Sequence, residues 1–253
     1  MQNLITPPAL RLDAGGLVRP LPGKALAWLT AFTALLVLIW DLSSFDLAVA
    51  HWSGGAAGFP LRDSWLLTQV LHDGARNIAW MLALLLCLFV WWPVGKLTQL
   101  NLGRRVQLAS TTLIAVLLVS WLKSWSGASC PWDMTDFGGI ATYASHWSHL
   151  LAPDGGSGRC FPAGHASAGF AFLGGYFALR HDFPSGARLW LTASIAAGLT
   201  LGIAQQMRGA HFMSHTLWTG LICWCVAWVM DGVQSRIAKP SAAGPTKELR
   251  AMP

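Results

Sequence analysis

Charged side chains are scarce in this chain. Asp, Glu, Lys and Arg make up 11% of its 253 residues, less than half of the ~25% a water-soluble domain carries, while 54% are hydrophobic. This shortage excludes an ordinary soluble domain and fits a bilayer. The net charge of +6 does not indicate nucleic acid, because no Lys/Arg cluster lies on a soluble surface; no nucleic-acid partner is expected. Cysteine is sparse too. Cys87, Cys223 and Cys225 fall inside apolar runs, whereas Cys130 and Cys160 share one polar loop, where they can form a disulfide if that loop faces an oxidising compartment. Nothing near the start resembles a cleavable secretory signal. The first apolar run begins near residue 25 behind a polar, proline-containing leader, and is read as a retained helix.

What is present are long apolar runs, 15 Trp and a mean hydropathy of +0.47. Six runs approach the ~20 residues that span a bilayer as a helix: 25–40, 77–94, 106–122, 165–179, 189–205 and 213–230. They predict an all-α polytopic membrane protein, a six-transmembrane-helix bundle forming a single domain over 1–253. Residues 1–24 form a basic tail, and a second tail covers 233–253. Residues 61–73 read as an amphipathic helix in the interface, and the Trp residues as interface anchors. The Gly and Ala of 165–179 suit close helix packing in lipid.

With six spans the termini share a side, which holds twelve Lys/Arg against five on the other: Arg62, Arg76, Lys123, Arg159 and Arg208. That asymmetry predicts cytoplasmic termini and an extracytoplasmic loop over 123–163. A polar loop of this length within a compact domain is usually functional or disordered.

This topology gathers three distant segments at the outer face: Lys123 closing the third span, His165 opening the fourth, and 208–215 joining the fifth to the sixth. Cations concentrated around histidines indicate a bound anion, of which phosphate is the best fit. His211 and His215 are four residues apart and share a helix face, with Arg208 one turn before. The arrangement suits a nucleophilic imidazole beside a guanidinium that grips the group under attack. His165 is placed to protonate a leaving oxygen. Lys123 and the N–H groups at Ala163 and Gly164 are placed to stabilise equatorial oxygens.

Three segments carry a family resemblance: Lys123 followed by Cys130-Pro131, then Pro162-Ala163-Gly164-His165, then His211 with His215. In order and spacing they resemble the membrane-bound type 2 phosphatidic acid phosphatases, relatives of bacterial acid phosphatases and vanadium haloperoxidases. That family's motifs are Lys-x6-Arg-Pro, Pro-Ser-Gly-His and Ser-Arg-x5-His-x3-Asp. The resemblance implies a metal-free, cofactor-free phosphohistidine mechanism with His211 as nucleophile, His165 as general acid and His215 at the motif's last catalytic position. This chain departs from the motifs at Cys130, Ala163, Gln205 and His215. Arg208 is expected to serve for the arginine missing at Gln205, Arg159 for the one missing at Cys130, and Asp133 or Asp136 for the last carboxylate.

The resemblance implies hydrolysis of a lipid phosphomonoester or diphosphate, with undecaprenyl diphosphate, phosphatidylglycerophosphate, phosphatidic acid and lipid A phosphates as candidates, in a bacterial inner membrane. One alternative is a lipid phosphotransferase using the same phosphohistidine. Another is a transporter or metal-binding membrane protein, since paired i, i+4 histidines also bind zinc. The absence of Glu between His211 and His215 excludes a metalloprotease of the His-Glu-x-x-His type. His51, His72, His146 and His149 read as solvated loop residues.

Overall fold

The computed structural model describes residues 21–43, 45–148 and 152–238. Residues 1–20 of the expected basic tail, His149, and 239–253 of the second tail lie outside these.

The described chain is helical, with two isolated β-bridges and no strand. Helix α1 (Gly23–Leu42) is followed by the short α2 (Phe45–Ala50). A π-helical stretch, Leu66–Gly74, runs directly into α3 (Ala75–Trp91). Then come α4 (Leu102–Trp125), the short α5 (Ser167–Phe170) and α6 (Gly174–Leu179), α7 (Pro184–Met207) and α8 (Met213–Ile237).

Local chemistry sets the ends of these helices. Asn101 caps α4, its side chain accepting the Arg104 N–H at 2.9 Å. Pro184 opens α7 where a missing N–H costs nothing. Gly209, at φ +75°, takes the left-handed conformation that turns the chain out of α7, with its N–H and that of Ala210 closing on Gln206 and Gln205 carbonyls at 2.8 and 2.9 Å. The first turn of α8 is capped from another element. The buried Asp46 of α2 accepts the Ser214 backbone N–H at 2.9 Å and the Ser214 hydroxyl, a carboxylate at the positive end of a helix.

Among the described residues, five helical segments are long and apolar enough to cross a membrane: Gly23–Leu42, Leu66–Gln99, Leu102–Trp125, Pro184–Met207 and Met213–Ile237. Over the expected sixth span, 165–179, the apolar helix Ser167–Leu179 is shorter than these five and is interrupted by a 3-10 turn at Ala171–Leu173, and the segment runs from His165 at the histidine end to Arg180, which pairs with Asp231 at the opposite end. Its residues are almost all buried, because a helix apolar on every side lowers its free energy by being surrounded. It is a central strut packed against α4, α7 and α8. The long helices instead present large side chains such as Trp28, Leu84 and Leu117 outward, where lipid would meet them. Two boundaries also move. The expected interface helix over 61–73 is, from Leu66, the leading end of the α3 span, and α8 continues through Ile237, into the expected tail.

Small residues make the close contacts around the strut. A Cβ on Gly169 would lie 2.2 Å from the Gly198 nitrogen of α7, one on Gly174 2.7 Å from Thr111 of α4, and one on Gly202 2.2 Å from Thr216 of α8. At the end of the bundle away from the histidines, Asp231 is buried and joined to Arg104 at 2.7 Å and Arg180 at 2.8 Å, so the charge within α8 is paired.

Gly169→Ala is expected to cost about 1–3 kcal/mol of stability through overpacking and to lower the thermal midpoint in detergent. Gly232→Ala, where nothing lies within 4 Å of the new methyl, should leave the midpoint unchanged or raise it. Equal midpoints for the two variants would contradict the proposed close packing of α5 on α7.

Candidate active site

Lys123 stands in the last turn of α4, and its side chain runs over Gly164. A Cβ on that glycine would sit 3.4 Å from Lys123 Cδ and 3.8 Å from Nζ, so the residue before His165 has to be small. A cavity of about 200 Å³ opens here. Its polar end is formed by His72, Arg76, Lys123, Gly164 and His165, and its apolar walls by Ala79 and Ala83 of α3, Thr112 and Val116 of α4, Phe172 and Leu201. The three segments expected to converge do so: the His165 and His211 ring centroids are 6.2 Å apart.

His211 lies deeper, 2% exposed, and outside the cavity lining. Its Nδ1 is 3.5 Å from Cys160 Sγ, so Nε2 is the nitrogen turned away from that sulfur. Cys160 is held there by a disulfide to Cys130 and by its N–H on the Ala128 carbonyl at 2.9 Å. The cysteine pairing expected from the shared polar loop is therefore present. The next residues are stitched to α8, with Ala163 N–H donating to the His215 carbonyl at 3.2 Å and Thr219 Oγ1 donating to the Ala163 carbonyl at 3.1 Å.

His215 does not join the cavity. It packs edge-on to His146 at 5.4 Å and Phe161 at 5.3 Å, and lines a smaller polar cavity with Asp41, Asp46, Tyr143 and Asp154. Asp41 Oδ1 is 3.4 Å from His146 Nε2. The carboxylates near His215 thus come from α1, α2 and, with Asp154, the loop before Cys160. The expected donors lie elsewhere. Asp133 accepts hydrogen bonds from Cys130 N–H and Ser157 Oγ, tying up the turn it belongs to, and Asp136 is exposed.

Arg208 leans back toward the motif position. Its Nη1 donates to Gln205 Oε1 at 3.0 Å and its Nε to the Arg62 carbonyl at 2.9 Å. Gln205 is 1% exposed, and its Nε2 has no partner among the described residues. Arg159 is exposed, takes a left-handed φ of 57° and does not line the cavity.

Two histidines read as solvated are structural parts of this region. His146 is buried and stacks on Phe161 at 4.0 Å. His72 stacks on His165 with centroids 3.8 Å apart. The sequence carries a signal for the second: His72 and Arg76 are spaced i, i+4, as His211 and His215 are. Asp41, Asp46 and His146 had no motif to mark them.

The electrostatics follow from burial among like charges. His165 is pushed down to about 3 by burial, then by His72, Lys123, Arg208 and Arg76. Burial, then Lys123, His215 and His165, holds His211 well below the ordinary imidazole range, against the Cys160 carbonyl. A neutral His211 keeps its lone pair, and a site this positive is unfavourable until an anion enters. Burial raises the Asp46 carboxyl, opposed by the hydrogen bonds from Ser214 and Trp40.

Atoms of Cys160, His211 and His215 able to ligate a metal lie within 4.8 Å of one another. With its sulfur bonded to Cys130, Cys160 has no thiolate to offer, and the set does not fit the three or four charged and imidazole ligands of a zinc centre.

A family model described as the PAP2 superfamily matches residues 105–237, from the start of α4 to the end of α8. The chain belongs to the PAP2 superfamily. Membership places it among phosphatases acting on phosphate esters, and its apolar helices fit membrane insertion. No curated protein and no solved structure matches the chain. The match takes in Lys123, the disulfide, His165 and the histidine pair, and leaves out α1 to α3, which carry Asp41, Asp46, His72 and Arg76.

The Cys130–Cys160 disulfide closes a separation of 30 residues, for which loop closure predicts about 3–4 kcal/mol. Dithiothreitol, or the Cys130→Ser/Cys160→Ser double variant, is expected to lower the thermal midpoint in detergent by several degrees; an unchanged midpoint would remove the disulfide from the stability of this end of the bundle.

Proposed function

We propose that this PAP2 protein hydrolyses a lipid phosphomonoester or diphosphate through a phosphohistidine formed on His211. The observation that carries the reading is the meeting of Lys123, Gly164-His165 and His211 at one end of the bundle. A lipid substrate is favoured by the cavity's polar end lying against walls of Ala79, Ala83, Val116, Phe172 and Leu201. A phosphate headgroup would meet the cations there while its tail stays beside apolar side chains.

In the first step His211 Nε2 attacks phosphorus, the bond from phosphorus to the leaving oxygen breaks, and His165 gives that oxygen its proton. Lys123 and the Gly164 N–H bear the charge on the equatorial oxygens, with the Arg208 guanidinium adding its charge from outside the cavity lining; the Ala163 N–H, expected to join them, is taken by the His215 carbonyl. In the second step water attacks the phosphohistidine, gives its proton to His165 and releases inorganic phosphate. The reading is supported by the proximity of the two imidazoles, whose ring centroids are 6.2 Å apart. Asp46 holds the leading turn of α8 and with it the approach to His211. His215 acts from behind, through its packing with His146 and the Cys160 segment.

Both tails and the bundle form one membrane phosphatase domain in this reading. Its termini lie in the cytoplasm and its active site faces the outside of a bacterial inner membrane, on the Lys/Arg asymmetry.

His211→Ala is expected to reduce phosphate release from phosphatidic acid, phosphatidylglycerophosphate, undecaprenyl diphosphate or lipid A by at least about a thousandfold, with wild-type release resistant to EDTA. Appreciable turnover by the variant would remove His211 as nucleophile.

The depressed His165 also predicts a direction. The protonated fraction of a group at about 3 falls tenfold for each pH unit above it, while neutral His211 stays available. The kcat/KM should therefore rise as pH drops from about 8 to about 5. A profile that climbs with pH across that window would take His165 out of the acid role.

A further inference from the structure

A phosphate with three oxygens to satisfy needs more than one cation, and Lys123 is a single point charge. Among the described residues only one other Lys or Arg lines the cavity, Arg76 of α3. It stands four residues after His72, so both project from one face of the helix. That face continues through Ala79 and Ala83 along the same cavity, and His72 is itself seated on His165 at 3.8 Å. The guanidinium is thus carried to the polar end of the cavity by the element that packs against the general acid.

Arg76 currently rests on Asp73, Nη2 to Oδ1 at 3.2 Å, with the same Oδ1 2.9 Å from His72 Nδ1. The side chains of Arg76 and Asp73 are 52% and 40% exposed. An ion pair that open is weak and readily exchanged, whereas the planar guanidinium fork matches two phosphate oxygens at once. Among the described residues nothing else claims the arginine.

We propose that Arg76 grips the substrate phosphate opposite Lys123, filling from the α3 face the place that Cys130 leaves without a guanidinium in the loop. The inference rests on the phosphatase reading above. It departs from the expectation for Arg159, which stands exposed outside the cavity, and the family match, beginning at residue 105, assigns Arg76 nothing. The charge of Arg76 is also among those that depress His165, so the two side chains share one electrostatic environment.

The test uses full-length protein in detergent, with inorganic phosphate binding measured by calorimetry beside steady-state hydrolysis of phosphatidic acid. Arg76→Ala should weaken phosphate binding about tenfold to a hundredfold and raise KM more than it lowers kcat. Arg76→Lys, keeping charge without the fork, should fall between Arg76→Ala and wild type, and Arg159→Ala should stay within about twofold of wild type. Phosphate affinity and KM unchanged in Arg76→Ala, or a loss found in Arg159→Ala instead, would overturn the assignment. Should Arg76→Ala fail to give folded protein, wild-type affinity in Arg76→Lys would overturn it equally. If wild-type protein releases no phosphate from lipid while binding of inorganic phosphate still depends on Arg76, the binding site stands and the hydrolase reading falls.

Discussion

The arrangement depends on burying one short helical strut on every side. Ser167–Leu179 has no polar face to give to water, so α4, α7 and α8 close around it. Closure at that range requires glycine where backbones meet, as at Gly169 against Gly198. The segment that feeds the strut, from Cys160 to His165, is then trapped between the end of α4 and the start of α8. A helix buried for packing reasons thereby delivers a histidine to a fixed place.

The histidines in that place are held by backbone and sulfur more than by carboxylates. The Cys160 carbonyl and Sγ face His211, the disulfide ties that residue to the 126–133 turn, and hydrogen bonds from Ala163 and Thr219 lock the segment to α8. The departures from the family pattern cluster at the same points. Where the family motif ends in an aspartate there is His215, packed on His146 and Phe161, and the carboxylates in its neighbourhood are Asp41 and Asp46 of the first two helices and Asp154 of the loop. A buried carboxylate is tolerable there because it accepts hydrogen bonds: Asp46 from Ser214 and Trp40, and Asp41 from Trp147.

The two cavities divide the work of this end of the molecule. The larger one combines a cationic end with an apolar wall formed by α3 and α4, the chemistry of a headgroup joined to a chain. The smaller one is polar, lies behind His215 and is lined by residues from α1, α2 and the loop. Two of its three aspartates, Asp41 and Asp46, lie beyond the stretch that matches the PAP2 family, as do His72 and Arg76, so the N-terminal helices contribute to the surroundings of the site as well as to the bundle.

Much of this was legible in the chain itself. Apolar runs dictate helices because every backbone group in a bilayer has to be satisfied within its own segment. The Lys123, Pro-x-Gly-His and paired-histidine segments could be named because short-range spacing on a helix is a local property. Contacts between elements are not. No periodicity in 165–179 distinguishes a lipid-facing span from a buried strut, since both are apolar all round; only the neighbours that surround it decide. The same holds for Asp46 reaching the first turn of α8, for His72 meeting His165 across the bundle, and for which arginine stands beside Lys123. The sequence determined a membrane-embedded helical protein and most of its reactive side chains. The tertiary structure decided which of them share a cavity, because that depends on long-range packing.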